Sequence, residues 1–114
     1  LDYTVVKLFI ESGQSKTSKV VKIASNFPYV IGRLSPDLSI NDANLSRRHC
    51  QLTVEMGGLY IEDLGSSNGV EVNGTFVKRS RLLINDQIRV GRTRMKVLEI
   101  TLATKKVRKG GGNF

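Results

Sequence analysis

Apolar residues recur at every second position through one short segment after another of this chain, and no stretch keeps an apolar stripe at the 3.6-residue period of a helix for long. The pattern predicts strands. It is clearest in "QLTVEM" (51–56), where Leu52, Val54 and Met56 face one way and Gln51, Thr53 and Glu55 the other. It breaks at Gly57-Gly58, a hairpin signal, and resumes as "LYIEDL" (59–64). Further strands are expected at "YTVVKLFI" (3–10), "KVVKIA" (19–24), "YVIGR" (29–33), Leu38 to Ile40, "VEV" (70–72), "TFV" (75–77), "QIRVG" (87–91) and "RMKVLEITL" (94–102). In the last, the alternation slips between Val97 and Leu98, which signals a bulge or a strand covered on both faces.

Between these segments lie "ESGQSKTS", "LSPD", "NDANLS", "LGSSNG", "VNG" and "IND", rich in the residues that turns require, and Asn73-Gly74 reads as a two-residue hairpin turn. Short strands separated by such turns point to an all-β sandwich or barrel, whose loops are the usual seat of function. From Ala103 onward "ATKKVRKGGGNF" loses the alternation. The expected organisation is one domain over residues 1–102 and a basic, Gly-rich flexible tail over 103–114.

A length of 114 residues allows one ordinary domain, and 39% apolar with 25% charged residues fits the soluble globular class. No apolar run reaches the roughly 18 residues that a spanning helix needs, so no membrane role is expected. The N-terminal residues lack the pattern of a secretory leader, and the chain reads as a domain cut from a longer protein. Cys50, the single cysteine, has no partner for an internal disulfide, which suits a reducing compartment: nuclear or cytoplasmic. The net charge of +8 favours anionic partners, but Lys105, Lys106, Arg108 and Lys109 in the tail account for half of it.

The stretch "NLSRRHCQL" (44–52) holds the only histidine and the only cysteine. Ser46 and His49 sit three apart, but a nucleophile needs a base oriented by a third group, and the chain has no G-x-S-x-G, no H-E-x-x-H and no recognisable carboxylate pair. No catalytic residue, no metal site and no cofactor are expected, so the chain is read as no enzyme. His49 is expected to be a structural ring that holds neighbouring loops through its two nitrogens, and Cys50 a small buried hydrophobe.

Two binding readings remain. Arg47, Arg48, Lys78, Arg79, Arg81, Arg89, Arg92, Arg94 and Lys96 could contact nucleic acid, but an RNA-reading sheet also needs exposed aromatics for stacking, and the aromatics here are scattered singly. The other reading is an anion clamp. Arg33 follows a strand end beside Gly32, where the absent Cβ permits close backbone approach, and a guanidinium fork matches phosphate oxygens. Ser46 adds a hydroxyl, and Asn68 an amide able to donate to and accept from a peptide backbone.

Gly32-Arg33, Ser46-Arg47-Arg48-His49, Ser66-Ser67-Asn68-Gly69 and Val72-Asn73-Gly74, in this order, resemble the forkhead-associated (FHA) domain family, a phosphothreonine-peptide reader. The likeness continues through "LLINDQIRVG", similar to the family's L-x-x-x-D-x-I-x-x-G strand, and covers roughly residues 3 to 102. The resemblance implies an FHA/SMAD-like β-sandwich of about eleven mostly antiparallel strands with ligand loops at one end. It implies that Arg33 and Ser46 hold the phosphate, joined by Arg47 or its backbone N–H and by Asn44. Ser67 would line the site near the threonine methyl, and Asn68 would bind the peptide backbone. Gly32, His49 and Gly69 would support the site.

Some family members have Asn at the place of Arg47 and Thr at the place of Ser67, so a softer phosphothreonine preference is expected here. The family selects the third residue after the phosphothreonine through variable loops, expected here at 78–81 and 92–94, where "VKRSR" and "GRTR" would favour acidic peptides. The implied partner is a phosphothreonine-containing protein or peptide, bound by an isolated domain that is monomeric. Nuclear signalling, DNA-damage response or transcription is the expected setting. The alternative is a basic sandwich that binds nucleic acid through its surface and C-terminal tail, and a constitutive scaffold is a third possibility.

Overall fold

The computed structural model describes residues 2–35 and 37–104. Eleven strands form two sheets: β1 (Asp2–Ser12), β2 (Ser15–Ala24), β3 (Tyr29–Gly32), β4 (Leu38–Ser39), β5 (Cys50–Glu55), β6 (Gly58–Asp63), β7 (Val70–Val72), β8 (Thr75–Phe76), β9 (Arg79–Leu82), β10 (Gln87–Val90) and β11 (Thr93–Thr104). One sheet runs β2-β1-β11-β10-β7-β8 and the other β4-β3-β5-β6-β9. All pairings are antiparallel except β3 with β4. The fold is an all-β sandwich, as expected.

The core lies between the sheets and is built from the alternating positions. Val6, Leu8 and Ile10 of β1 and Met95 and Val97 of β11 meet Leu52 and Val54 of β5 and Leu59 and Ile61 of β6, all buried. The slip at Val97 and Leu98 is a bulge: Lys7 pairs with Glu99 while Leu8 pairs with Val97, which leaves Leu98 as the extra residue. Because strand faces alternate, this one insertion returns Ile100 to the core side, opposite Val6.

Three expectations need correction. The segment "ESGQSKTS" is no loop, since the β1–β2 ladder runs through it to Ser12 and Ser15 with only Gly13 and Gln14 in the turn. Residues 15–20 are exposed on both faces, so no burial pattern announced the strand. β9 was not foreseen either, because this edge strand buries only Leu82. Met56, finally, does not extend the buried face of β5. It occupies the β5–β6 turn with Gly57, at φ 49° and 78°, while Gly58 pairs with Glu55. Asn73 and Gly74 form the corresponding two-residue turn between β7 and β8, at φ 51° and 85°.

β11 continues through Ala103 and Thr104, two residues past the expected boundary. The rest of the expected basic tail, 105–114, lies outside the described residues.

Met56 is fully exposed and sits in the left-handed region, where Asn is favoured over Met before glycine. Met56→Asn is expected to stabilise the domain by about 0.5–1 kcal/mol. Urea denaturation checks this: a loss of stability would reveal a native contact of the Met56 side chain.

Candidate functional site

The expected site residues converge on one end of the sandwich, where β3 ends and the β4–β5, β6–β7 and β10–β11 connections gather. The convergence begins with backbone. Beyond β3, the Arg33 N–H donates to the Ser46 carbonyl at 2.9 Å and the Leu34 N–H to the Arg47 carbonyl at 3.2 Å, while the His49 N–H donates to the Ile31 carbonyl at 2.9 Å. Residues 46–49 thus lie directly against Gly32. A Cβ there would stand 2.1 Å from the Arg47 carbonyl oxygen, so only glycine fits. The Arg33 side chain is partly buried, and its Nε donates to the Leu45 carbonyl at 3.2 Å. Its two terminal nitrogens have no partner among the described residues.

His49 is fully buried and joins the two central loops. Its Nδ1 accepts from the Ser46 N–H at 3.1 Å, so the ring proton resides on Nε2, which donates to the Gly69 carbonyl at 2.7 Å. Ser46 Oγ accepts the Ser67 N–H at 3.1 Å, which leaves its own O–H to donate outward. Asn68 Nδ2 donates to the Asn44 carbonyl at 2.7 Å, and its Oδ1 is left as an acceptor. Asn44, Arg47, Ser67 and Asn68 are exposed, whereas Gly32 is buried and Gly69 partly so, with φ of 80°. Arg33, Ser46, Arg47, Ser67, Asn68 and Asn44 therefore share one rim, with Gly32, His49 and Gly69 behind it.

Several residues that hold this rim escaped the sequence reading. Asp42 is buried and accepts three hydrogen bonds: from the Asn44 N–H at 2.9 Å, the Arg92 N–H at 2.9 Å and the Thr93 hydroxyl at 2.7 Å. Burial pushes its carboxyl up, but these bonds and the Arg92 charge outweigh that and hold it below the ordinary aspartate value. Asp63 accepts the Ser66 N–H at 3.0 Å, and Ser66 Oγ accepts the Gly69 N–H at 2.9 Å, so the "GSSNG" loop is braced from within. The only signal for Asp42 and Asp63 was their position in or beside turn-rich segments.

Of the two expected selectivity segments, 92–94 reaches the rim through Arg92, and 78–81 meets the foot of the β6–β7 loop at Lys78, whose carbonyl accepts the Asp63 N–H at 2.8 Å. Arg92 lines a depression of about 240 Å³ together with Asn44, Asn68 and Phe76. Residues 79–82 form β9, and the Arg79 side chain pairs with Glu55 at 2.8 Å and stacks over the Tyr60 ring at 4.2 Å.

Among the described residues, the histidine and the cysteine of this end are both engaged or shielded. Backbone groups occupy both nitrogens of His49. Burial, and secondarily Asp63, pushes the Cys50 thiol up to about 12, so it is a protonated, buried hydrophobe at neutral pH. Among the described residues no group of three or more His, Cys, Asp or Glu could hold a metal ion.

Comparison with known proteins shows the family of the chain. A family model for the FHA domain matches residues 29–91. The glycogen accumulation regulator GarA of Mycolicibacterium smegmatis is 34% identical over 59 residues, which is 52% of this chain and 37% of that protein. The match thus spans little more than a third of the relative's length. An FHA domain solved in a structural and functional analysis of phosphothreonine-dependent FHA domain interactions is 26% identical with a TM-score of 0.71, covering 83% of this chain and 96% of that one. Mycobacterium tuberculosis EmbR, solved in complex with a low affinity phosphopeptide, is 28% identical with a TM-score of 0.73, over 90% of this chain and 26% of that one. The curated relatives are bacterial and lend no support to a nuclear setting.

Two variants test the frame of the site. His49→Ala removes a buried ring and orphans the Ser46 N–H and the Gly69 carbonyl, and is expected to cost about 3–5 kcal/mol. Thermal denaturation and amide exchange at Ser46 read the outcome, and unchanged stability would show that His49 is not the brace. Asp42→Asn is expected to cost about 1.5–3 kcal/mol at neutral pH, since an acceptor is replaced by a donor facing donors. Because the folded-state value of Asp42 is depressed, its contribution is present above the unfolded value of about 3.9 and is lost as pH falls through the lower folded value. The gap between wild type and Asp42→Asn in urea denaturation should therefore narrow below about pH 4.

Proposed function

The chain belongs to the FHA domain family, and on that premise we propose that it is a phosphothreonine-dependent peptide-binding module that recruits phosphorylated partners. The observation that carries the reading is the single rim made by Arg33, Ser46 and Asn68, which come from three separate loops linked by direct hydrogen bonds. The terminal guanidinium nitrogens of Arg33 and the Ser46 O–H are the donors for the phosphate. The Arg47 side chain or N–H and Asn44 lie beside them as further contacts. Ser67 flanks the threonine methyl, and Asn68 offers its Oδ1 to a peptide N–H, its Nδ2 being engaged by Asn44.

Phosphothreonine carries about −1.5 to −2 charges at pH 7. Each charge-assisted hydrogen bond contributes about 1.5–3 kcal/mol, and three of them, reduced by peptide ordering and lost rigid-body freedom, give about −8 kcal/mol, a micromolar dissociation constant. Burial of the threonine methyl adds about 1 kcal/mol, so phosphoserine is disfavoured about tenfold by that contact. The module works by binding, not by chemistry of its own. Its setting is a bacterial regulatory protein in place of the nuclear one expected at first, in line with the matched relatives.

Titration of a phosphothreonine peptide library, with the unphosphorylated peptides as control, tests the reading. Arg33→Ala is expected to weaken binding at least tenfold, and unphosphorylated peptides should hardly bind. Affinity should also fall as the pH drops through about 6, where the phosphate loses its second charge. Equal binding by wild type and Arg33→Ala would defeat the proposal.

A further inference from the structure

The outer face of the larger sheet carries a strip of positive charge that leads away from the loops. Thr93, Met95 and Val97 of β11 and Ile88 and Val90 of β10 point into the core, so Arg94, Lys96, Gln87 and Arg89 project from the opposite face. The register sets Arg89 directly opposite Arg94 and Gln87 opposite Lys96. Two arginines facing each other across adjacent strands repel, and such pairs destabilise a sheet unless an anion lies near.

The neighbouring strands relieve this only in part. On one side Glu71 of β7 reaches Arg89 at 3.6 Å. On the other, Glu11 of β1 stands opposite Arg94 in the register, but its carboxylate pairs with Lys16 at 3.7 Å. Arg92, Arg94 and Lys96 have no carboxylate within ion-pair distance among the described residues. The positive strip is therefore two strands wide, bounded by one glutamate on each flank.

This strip is continuous with the rim. The depression beside Asn44 and Asn68 contains Arg89 and Arg92, a second of about 270 Å³ shares Arg89 and adds Arg94, and a third of about 320 Å³ shares Arg94 and adds Lys96. From Thr93, next to Arg92 in the turn, to Lys96 the strand advances about 10 Å, the length of about three extended residues. Arg94, expected from the sequence within the selectivity loop, belongs to a sheet face outside it.

We propose that this strip is a second contact surface, which takes an acidic segment of the same phosphorylated partner in extended form alongside β10 and β11. The proposal rests on the phosphothreonine reading of the rim. Charge complementarity selects the occupant: the strip is narrow, linear and cationic. The two flanking glutamates disfavour a nucleic acid, whose broad phosphate array calls for a wide positive field.

The test uses fluorescence anisotropy with three labelled peptides. One is a phosphothreonine peptide with neutral flanks. The others carry a run of four glutamates joined through a short Gly/Ser spacer, before the phosphothreonine in one and after it in the other. One of the two acidic peptides is expected to bind about five- to tenfold more tightly than the neutral one at low salt, the gain fading as salt is raised. The double variant Arg94→Ala/Lys96→Ala should remove that gain and leave the affinity for the neutral phosphopeptide unchanged. The strip proposal is overturned if neither extension tightens binding or if the gain survives in the double variant. Duplex DNA binding lost in that variant would also overturn it, by assigning the strip to nucleic acid. Failure of the neutral phosphopeptide to bind wild type is a different result, since it removes the reading of the rim itself.

Discussion

The imidazole of His49 has no exposed surface, and each of its nitrogens meets a backbone group from a different loop. The backbone of the same residue donates to Ile31 and accepts from Leu64. One residue thus ties the end of β3, the start of β5, the segment carrying Ser46 and the segment carrying Asn68. Because the ring is dry, losing either partner would leave a buried polar atom unsatisfied, at about 1–3 kcal/mol. That penalty, more than the strength of any one bond, fixes the relative position of the two loops. The arrangement also demands the neutral tautomer with its proton on Nε2, since a proton on Nδ1 would face the Ser46 N–H.

Around this ring the site has two parts with different physics. The buried part is made of constraints on shape and satisfaction: the absent Cβ at Gly32, the three donors converging on Asp42, and the Asp63 to Ser66 to Gly69 chain of bonds. The exposed part consists of groups with unused hydrogen-bonding capacity, namely the guanidinium end of Arg33, the Ser46 O–H and the Asn68 carbonyl oxygen. Short side chains anchored through backbone contacts lose little freedom when a ligand arrives. A rim built on Ser and Asn, with the root of Arg33 held by the Leu45 carbonyl, is preorganised in that sense.

Most of the frame was legible in the chain because burial writes a period of two into it. Where burial lapses, the reading lapsed as well: β2 begins among exposed residues, and β9 buries one side chain. Met56 misled because it continues an apolar alternation that the turn geometry ends. At the site, the glycines, the histidine and the polar rim were readable because each residue type has a narrow physical use and their order matches a family. Asp42 was not, since an aspartate in "NDANLS" looks like any turn residue until Arg92 and Thr93, fifty residues away, are seen to donate to it. The sequence could not separate Arg79 from Arg92 either. Both are arginines near turn segments, and only the fold sends one to Glu55 and the other to the rim.

On the proposed reading, the same fold gives the positive charge two distinct roles. At the rim, donors would act at hydrogen-bond range and discriminate by geometry, so that a dianionic phosphate would decide binding. Along β10 and β11 the charges are exposed and act over a Debye length of about 8 Å at physiological salt, which confers attraction without close reading of shape. A partner drawn to such a strip would encounter the rim more often, while its residence would still depend on the phosphate. Since Arg89 and Arg94 oppose each other across β10 and β11, and only Arg89 has a carboxylate beside it, an acidic occupant would also relieve a repulsion that the free domain carries. Recruitment by phosphorylation and selection among phosphorylated sequences can therefore reside on contiguous but chemically separate surfaces of one small sandwich.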